Sequence, residues 1–356
     1  MFSPFGRGEL KLLRRLVINP SLRQATLAKE LGISRSAVNQ LWKKLESERG
    51  LSIRSFFDFG SLGIDAVFGW ANDREGSDMI RKFSRWLRSN PYVSIIIASR
   101  ISSMMDQRVY FEARIPVGQR KSKFLEQLNR FTKRPYSLSL IYESASHMAY
   151  HMNLGLFDGR IWEVLDGFRF GATIESARSY VDILPSVPTG NQSKRAPLNL
   201  DSLAIASIIE EDFHATSKDL ENRLEELNLT ALSERTLRRR LSLIRKRNAT
   251  PYVNVNELGL SQRILVCIEE EADHSGLSRL LKAQATTLPK ARVLGGHSLT
   301  AIILDLPESA SWFAISKVLS EQAHAPTKMC TFIADDSQVW KGLASLAIHE
   351  ASRINQ

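Results

Sequence analysis

Residues Gln24–Gly50 read QATLAKELGISRSAVNQLWKKLESERG, and their apolar members recur at the spacing of two short helices joined by a tight turn. Gly32 stands where the first helix ends, at a position that suits a left-handed backbone. Ser34 follows as a capping residue for a second helix, on which Val38 and Leu45 point inward. The segment therefore predicts a helix-turn-helix.

The outer face of the second helix carries hydrogen-bond donors, with no acidic residue before Glu46. Short amide and hydroxyl groups suit base edges, and lysines suit phosphates. We expect base contacts from Arg35, Ser36, Asn39 and Gln40, and phosphate contacts from Lys43 and Lys44. The alternative is an ordinary solvated face of an antiparallel helix pair.

This segment resembles the winged helix-turn-helix of the Lrp/AsnC (leucine-responsive) family of transcription regulators. The family signature L-A-x-x-L-G-I-S-x-x-x-V-x-x-x-x-x-x-L-E is matched by Leu27, Ala28, Leu31, Gly32, Ile33, Ser34, Val38, Leu45 and Glu46. The stretch LSIRSFFDFGSLGI after Gly50 predicts two short strands around Asp58–Ser61, a wing that would bring Arg54 to a phosphate. The resemblance implies binding to double-stranded DNA.

The 356 residues have an ordinary globular composition and a net charge of +10, which favours a polyanionic partner. Charge alone leaves DNA, RNA and an anionic membrane surface open. No apolar run is long enough to span a bilayer, and charged residues interrupt the N-terminus where a signal peptide would be apolar. We therefore expect a cytoplasmic, nucleoid-associated protein without a membrane partner, in which Cys267 and Cys330 are free thiols.

From Ile64 onward the pattern changes to strand, helix, strand, strand, helix, strand, which predicts a ferredoxin-like α+β sandwich. In the Lrp/AsnC family such a domain follows the winged helix. The resemblance implies that it mediates dimerisation and binds a small effector such as an amino acid.

The same order of elements recurs in the second half of the chain, which predicts a tandem duplication with a period of about 180 residues. The second wing ends in Leu258-Gly259-Leu260, where the first ends in Leu62-Gly63-Ile64. We predict two winged helix-turn-helix domains at 1–62 and 198–260, ferredoxin-like βαββαβ domains at 63–145 and 261–335, a helical extension at 146–183, a linker at 184–197 and a C-terminal helix at 336–356.

The second helix trio segregates its charge, with acids in its first part and bases on the helix that corresponds to the recognition helix. We expect phosphate contacts there from Arg235, Arg238, Arg239, Arg245 and Lys246. Asn228 replaces the turn glycine, and Ser233 is expected to cap as Ser34 does. A solvated helix face is again the alternative.

Other candidate sites are weaker. In the Lrp/AsnC family a glycine and an aspartate between the second and third sandwich strands lie near the bound amino acid. Each copy here retains half of that pattern, with Asp106 in the first copy and Gly295 and Gly296 in the second. Two ordinary hairpin loops are the alternative. His147 and His151 would share a helix face, but no third ligand follows at a suitable spacing, so we expect no metal and no cofactor.

The sequence therefore predicts a sequence-specific DNA-binding transcription regulator or chromatin-associated factor, and no enzyme, because no catalytic motif is present. Its sandwiches would pair within the chain or with a second chain in a homodimer. Two alternatives stay open. Siroheme decarboxylases resemble this family and have the same architecture, and a non-specific architectural protein would coat DNA without a defined site.

Overall fold

The computed structural model describes residues 3–73, 78–100, 107–164, 197–229, 233–270, 276–308, 328–335 and 337–354. It has an α+β fold whose N-terminal unit is a helix trio, as predicted. Gly32 ends the second helix with φ of 67°, and the Ser34 hydroxyl accepts a 3.1 Å hydrogen bond from the Ala37 amide. The first elements are α1 (Arg7–Ile18), α2 (Gln24–Leu31), α3 (Arg35–Arg49) and β1 (Ser52–Phe57).

The first sandwich follows with the predicted order of strands and helices. Its elements are β2 (Ile64–Asp73), α4 (Met79–Ser89), β3 (Val93–Ala98), β4 (Gln107–Pro116), α5 (Gln119–Arg130) and β5 (Ser139–Ser144). Both helices are amphipathic and bury one side on the sheet, where Phe83 and Phe124 are almost fully enclosed. Fully burying such a side chain stabilises the fold by about 1.5–3 kcal/mol.

Over its described residues the second half follows the same order, and nearly all of the range between its last two sandwich strands, where a second helix is expected, lies outside them. Strand β6 (His147–Met152) ends the first half. The elements of the second half are α6 (Leu200–Glu211), α7 (Ser217–Glu226), α8 (Glu234–Arg247), β7 (Ala249–Asn254), β8 (Gln262–Glu269), α9 (Gly276–Ala285), β9 (Lys290–Gly295), β10 (Leu299–Leu306), β11 (Lys328–Ile333), β12 (Val339–Trp340) and α10 (Leu343–Ile354). Asn228 takes the left-handed conformation with φ of 52°, as predicted. Ser233 precedes α8, but its hydroxyl pairs with that of Thr236 instead of capping the backbone, so that prediction was wrong.

The two wing segments form one ribbon that both halves share. Strands β1 and β7 pair antiparallel, with Arg54 opposite Tyr252. The predicted hairpin around Asp58–Ser61 was wrong, because Phe59–Leu62 is a 3-10 turn that leads onward into β2. Each segment thus supplies one strand and takes its partner from the other half of the chain.

Each five-stranded sheet also contains a strand from the other half. The strand orders are β12-β3-β4-β2-β5 and β11-β8-β10-β9-β6. Strand β6 begins the segment predicted as a helical extension over 146–183, and that prediction was wrong for 147–152. The alternating sequence HMAYHM pairs with β9 instead. The predicted C-terminal helix starts only at Leu343, after β12. Residues 165–183 and 184–196, which include nearly all of the predicted linker, lie outside the described residues.

The two sheets pack face to face within the chain. The shared core includes Phe68 and Tyr110 from the first sheet and Leu265, Ile303 and Phe332 from the second. Helices α4, α5 and α9 cover the opposite faces. The sandwiches therefore pair as two halves of one chain.

Each helix-turn-helix unit is anchored by residues of both halves. The first unit packs against Val253 of the ribbon and against Trp162, whose indole donates a 2.7 Å hydrogen bond to the Leu258 carbonyl. The core of the second unit includes Phe57 of the ribbon and Leu346 of α10. The shared ribbon is thus part of both hydrophobic cores.

Cys267 and Cys330 are not joined in a disulfide, in agreement with the prediction. They lie opposite each other on β8 and β11. Among the helices of the described ranges, none combines the length and hydropathy needed to cross a bilayer.

Candidate nucleic-acid interface and central cavity

The predicted reading face of α3 is exposed. Arg35, Ser36, Gln40 and Lys43 are exposed and Asn39 is half-buried. On the other side of the helix the buried apolar residues Val38, Trp42 and Leu45 anchor it to the trio. The helix thus presents amide, hydroxyl and cationic donors from a packed scaffold.

Lys44 has a structural partner that the sequence did not reveal. Its ammonium lies 2.5 Å from the carboxylate of Glu9, which is almost fully buried on α1. Burial raises the pKa of Glu9, but the hydrogen bonds from Lys44 and the Gly6 amide outweigh it and lower that pKa overall. The hydrogen bond to Glu9 raises the pKa of Lys44. The phosphate contact predicted for Lys44 would compete with this ion pair.

The basic face of α8 is only partly available. Arg235, Arg239 and Lys246 are exposed. Arg238 is exposed too and forms a 2.5 Å ion pair with Glu234, a type of contact that holds a side chain weakly. Arg245 points inward instead, where it donates to the Ala215 carbonyl and lies 5.8 Å above the Phe213 ring. The phosphate contact predicted for Arg245 stays a prediction, and it would have to use the N–H groups that these contacts leave unbonded.

Arg54 lines a central cavity of about 610 Å³ beneath the shared ribbon. The ribbon, both sheets and both exchanged strands contribute to its wall. Representative lining residues are Arg54, Tyr150, Tyr252, Arg263, Arg292 and Trp340. Arg54 is exposed and lines this cavity, and its predicted contact with a phosphate stays a prediction.

Ion pairs hold most of the charged groups around the cavity. The guanidinium of Arg292 is bidentate on Glu112 across the sheet interface, and the Tyr110 hydroxyl donates to the same carboxylate at 2.8 Å. Arg263 and Lys290 lie 2.5 and 3.0 Å from Asp305. Burial raises the pKa of Asp305, but the two bases outweigh it and lower that pKa overall.

Tyr150 and Arg54 also line the cavity, and neither takes part in these ion pairs. The Tyr150 hydroxyl is buried without a hydrogen-bond partner among the described residues, and burial raises its pKa well above the ordinary value. Its ring lies 4.3 Å from that of Tyr252. The Arg54 guanidinium donates to the Ser52 hydroxyl at 3.3 Å. Sequence reasoning missed the cavity because its lining residues form no motif along the chain.

The candidate effector loop of the second half is occupied by the chain itself. The Glu143 carboxylate, from β5, accepts hydrogen bonds from the amides of His297, Ser298 and Leu299 at 2.6, 3.0 and 2.9 Å. A side chain at Gly296 would overlap this carboxylate. The Glu143 carboxylate thus occupies the space beside Gly296, and Asp106 lies outside the described residues.

His147 and His151 lie on strand β6, four residues apart. At about 3.3 Å per residue their positions are roughly 13 Å apart, too far for one metal ion. Burial lowers the pKa of both imidazoles. Within the described ranges, no group of three or more metal-ligating side chains comes together.

No protein-family profile and no curated protein matches this sequence. Among solved structures, the siroheme decarboxylase NirDL is similar with a TM-score of 0.51 and 13% identity, over 98% of this chain and 100% of that one. Its co-complex with an iron-uroporphyrin III analogue gives 0.50 and 12%, over 97% and 99%. A transcriptional regulator from Neisseria meningitidis in complex with L-Met gives 0.26 and 17%, over 39% and 88%. The chain thus shares with NirDL, along its whole length, a fold of helix-turn-helix units and ferredoxin-like domains.

Proposed function

We propose that this chain binds double-stranded DNA in a sequence-specific way, as a transcription regulator or chromatin-associated factor. The observation that carries the proposal is the exposed face of α3, which presents Ser36, Asn39 and Gln40 beside Arg35 and Lys43. A helix held by a buried core can set such short donors against base edges in the major groove. The net charge of +10 supports a polyanionic partner.

We also infer that the chain is an internal duplication, which does alone what two subunits do in a dimeric regulator. The repeated order of elements supports this inference. So does the reciprocal exchange, in which each sheet takes one edge strand from the other half and the ribbon takes one strand from each. The two helix-turn-helix units are then spaced by the packed sheets and the ribbon.

The two recognition helices differ in chemistry, which supports a division of labour. Helix α3 offers amide and hydroxyl groups that pair with base edges in a defined geometry. Helix α8 offers guanidinium and ammonium groups, on Arg235, Arg239 and Lys246, which satisfy phosphates of any sequence. We propose that the first helix reads the sequence and that the second adds affinity.

In vitro selection from random duplexes tests this function. We expect an asymmetric site with two contact zones about 10 bp apart or a multiple of that. Asn39→Ala should cost about 1–3 kcal/mol on the selected site and little on random DNA. The matched control is Gln127→Ala on α5, which removes an amide outside both helix-turn-helix units. Binding without enrichment of any sequence would favour the architectural alternative, and no binding would remove DNA altogether.

A second function, that of an enzyme acting on a siroheme-like tetrapyrrole, is favoured by the central cavity. The cavity offers the free hydroxyl of Tyr150, the guanidinium of Arg54 and the rings of Tyr252 and Trp340. Cations and aromatic surfaces suit a flat molecule with carboxylates. Two solved structures that are similar over nearly the whole chain are those of a siroheme decarboxylase, one with an iron-uroporphyrin III analogue.

Titration with iron-uroporphyrin III, followed by its absorption spectrum, separates this function from the first. If the cavity takes a tetrapyrrole, the spectrum should shift with saturation, and Arg54→Gln and Tyr150→Phe should each weaken binding. Arg130→Gln, a charge removed from the outer surface of α5, should not. Release of carbon dioxide from siroheme would then establish the reaction, and an unchanged spectrum would contradict this second function.

An amino-acid effector, if the regulator responds to one, should not bind at Gly295 and Gly296 in the intact chain. The Glu143 carboxylate lies against Gly296 and accepts hydrogen bonds from the three amides that follow it. A homodimer through the ferredoxin-like domains would also need another surface, because the apolar sheet faces pack on each other within the chain.

A further inference from the structure

The two helix-turn-helix units face each other across a groove of about 1060 Å³. The first unit contributes Arg23 and Gln24 at the start of α2, and Trp42 and Glu46 on α3. The second unit contributes the segment between α6 and α7 and one side of α8, with Asp212, His214, Thr216, Arg238, Arg245 and Lys246. The groove thus lies beside both recognition helices and belongs to neither half alone.

Two buried nitrogen atoms at this groove have no hydrogen-bond partner among the described residues. They are Nε2 of His214 and Nε of Arg245. The imidazole is also held between the units, because its ring lies 6.3 Å from that of Trp42 in the first and 5.4 Å from that of Phe213 in the second. A buried polar atom without a partner costs free energy, so Nε of Arg245 suits a ligand that accepts hydrogen bonds, and Nε2 of His214 does so when the imidazole is protonated.

The charge around the groove is positive. Its bases are Arg23, Arg238, Arg245 and Lys246. Its two acids are already engaged, since Glu46 accepts a 2.6 Å hydrogen bond from the Trp42 indole and Asp212 accepts a 2.8 Å hydrogen bond from the His214 amide. The N-termini of α2 and α7 add partial positive charge, because their first residues also line the groove.

We propose that this groove is a phosphate-binding site in which Arg23, Arg245 and His214 hold the anion between the two helix-turn-helix units. The phosphate has two chemical sources, the phosphodiester backbone of DNA that spans both recognition helices, or a free inorganic phosphate or phosphate monoester. The first source rests on the proposed function, and the second does not. In either case the anion bridges the units, because Arg23 belongs to one and Arg245 to the other.

The protonation of His214 should respond to a bound phosphate. Burial lowers the pKa of the imidazole, Asp212 and a hydrogen bond to the Pro20 backbone raise it, and Arg245 and Arg23 lower it, so that the pKa is lowered overall. The carboxylate of Glu46, on the α3 side of the groove, accepts the hydrogen bond from the Trp42 indole. A bound phosphate would add a negative charge beside the ring and raise that pKa again. Phosphate binding should therefore be accompanied by proton uptake at His214.

The experiment uses the full chain and the variants Arg23→Gln and His214→Gln. Arg23 is exposed, so its replacement should leave the fold intact. The matched control is Arg130→Gln, which removes one exposed charge from α5. The first arm measures the rise in Tm on adding inorganic phosphate, against sodium chloride of equal ionic strength. The second arm measures the slope of log affinity for duplex DNA against log salt.

The site is assigned to free phosphate if phosphate raises the Tm of the unmodified chain and of Arg130→Gln. The same assignment requires that Arg23→Gln and His214→Gln abolish this rise. A salt slope that Arg23→Gln lowers by about 1, with the control unchanged, assigns the site to the DNA backbone. The proposal is overturned if neither quantity changes in the groove variants. If DNA binding is intact in that case, the proposed function is not contradicted. If phosphate raises the Tm but no DNA binds, the phosphate site is supported and the proposed DNA-binding function is contradicted.

Discussion

The carboxylate of Glu143, on β5 of the first sheet, fills the space that a side chain at Gly296 of the second sheet would need. It accepts hydrogen bonds from three consecutive amides of the turn between β9 and β10. Glu143 lies four residues before His147, where the chain crosses from one sheet to the other. This contact therefore ties the two sandwiches together at the exchanged strand.

Removing the carboxylate should destabilise the chain. Glu143→Ala leaves three amides without their acceptor and should lower the free energy of unfolding by about 1–3 kcal/mol. Glu143→Gln keeps one acceptor oxygen and should cost less. Gly296→Ala should also destabilise, because the new methyl group displaces the carboxylate. Urea denaturation measures all three, and an unaffected Gly296→Ala protein would contradict the close approach.

The exposed bases of α8 should contribute affinity without specificity. Arg239→Ala combined with Lys246→Ala should weaken binding to the selected and to random DNA by a similar factor. The slope of log affinity against log salt should fall by roughly 2, about 1 for each lost phosphate contact. Fluorescence anisotropy over a range of salt concentrations measures both. A loss of discrimination in this double variant, with Asn39→Ala behaving neutrally, would reverse the roles of the two helices.

The spacing of the two helix-turn-helix units should not depend on the predicted linker at 184–197. The shared ribbon and the face-to-face sheets already hold the units in place. Inserting about ten Gly and Ser residues into this segment should therefore leave the DNA footprint unchanged. A footprint that widens or blurs would mean that the units act as tethered independent modules.

Stability should fall as the pH drops below 6.5, the ordinary pKa of histidine. Burial lowers the pKa of His147, His151 and His214 in the folded chain. As the pH falls, these histidines take up protons in the unfolded chain at a higher pH than in the folded chain. The stability present above pH 6.5 is therefore lost as the pH falls through the lower pKa values of the folded chain. Urea denaturation at about pH 7.5 and about pH 5.5 measures the effect. The double variant His147→Gln, His151→Gln should show a smaller difference in the free energy of unfolding between the two pH values. An equal difference would contradict the assignment of the pH effect to these histidines.

Local features of the sequence determined both helix trios, the order of the first sandwich and the described part of the second. The spacing of apolar residues, the left-handed Gly32 and Asn228 and the cap at Ser34 operate within about a dozen residues, so they can be recognised along the chain. The exposed face of α3 follows from the same periodicity. The net positive charge is a property of composition alone.

Only the tertiary structure decided the pairings between distant segments. An alternating stretch such as HMAYHM can join any open sheet edge, and its partner is chosen by packing and not by its own residues. The shared ribbon, the exchanged strands and the cavity with Tyr150 arise in this way, as do the inward position of Arg245 and the Lys44 ion pair. Helices form from neighbours in sequence, whereas sheets and cavities form from residues that folding alone brings together.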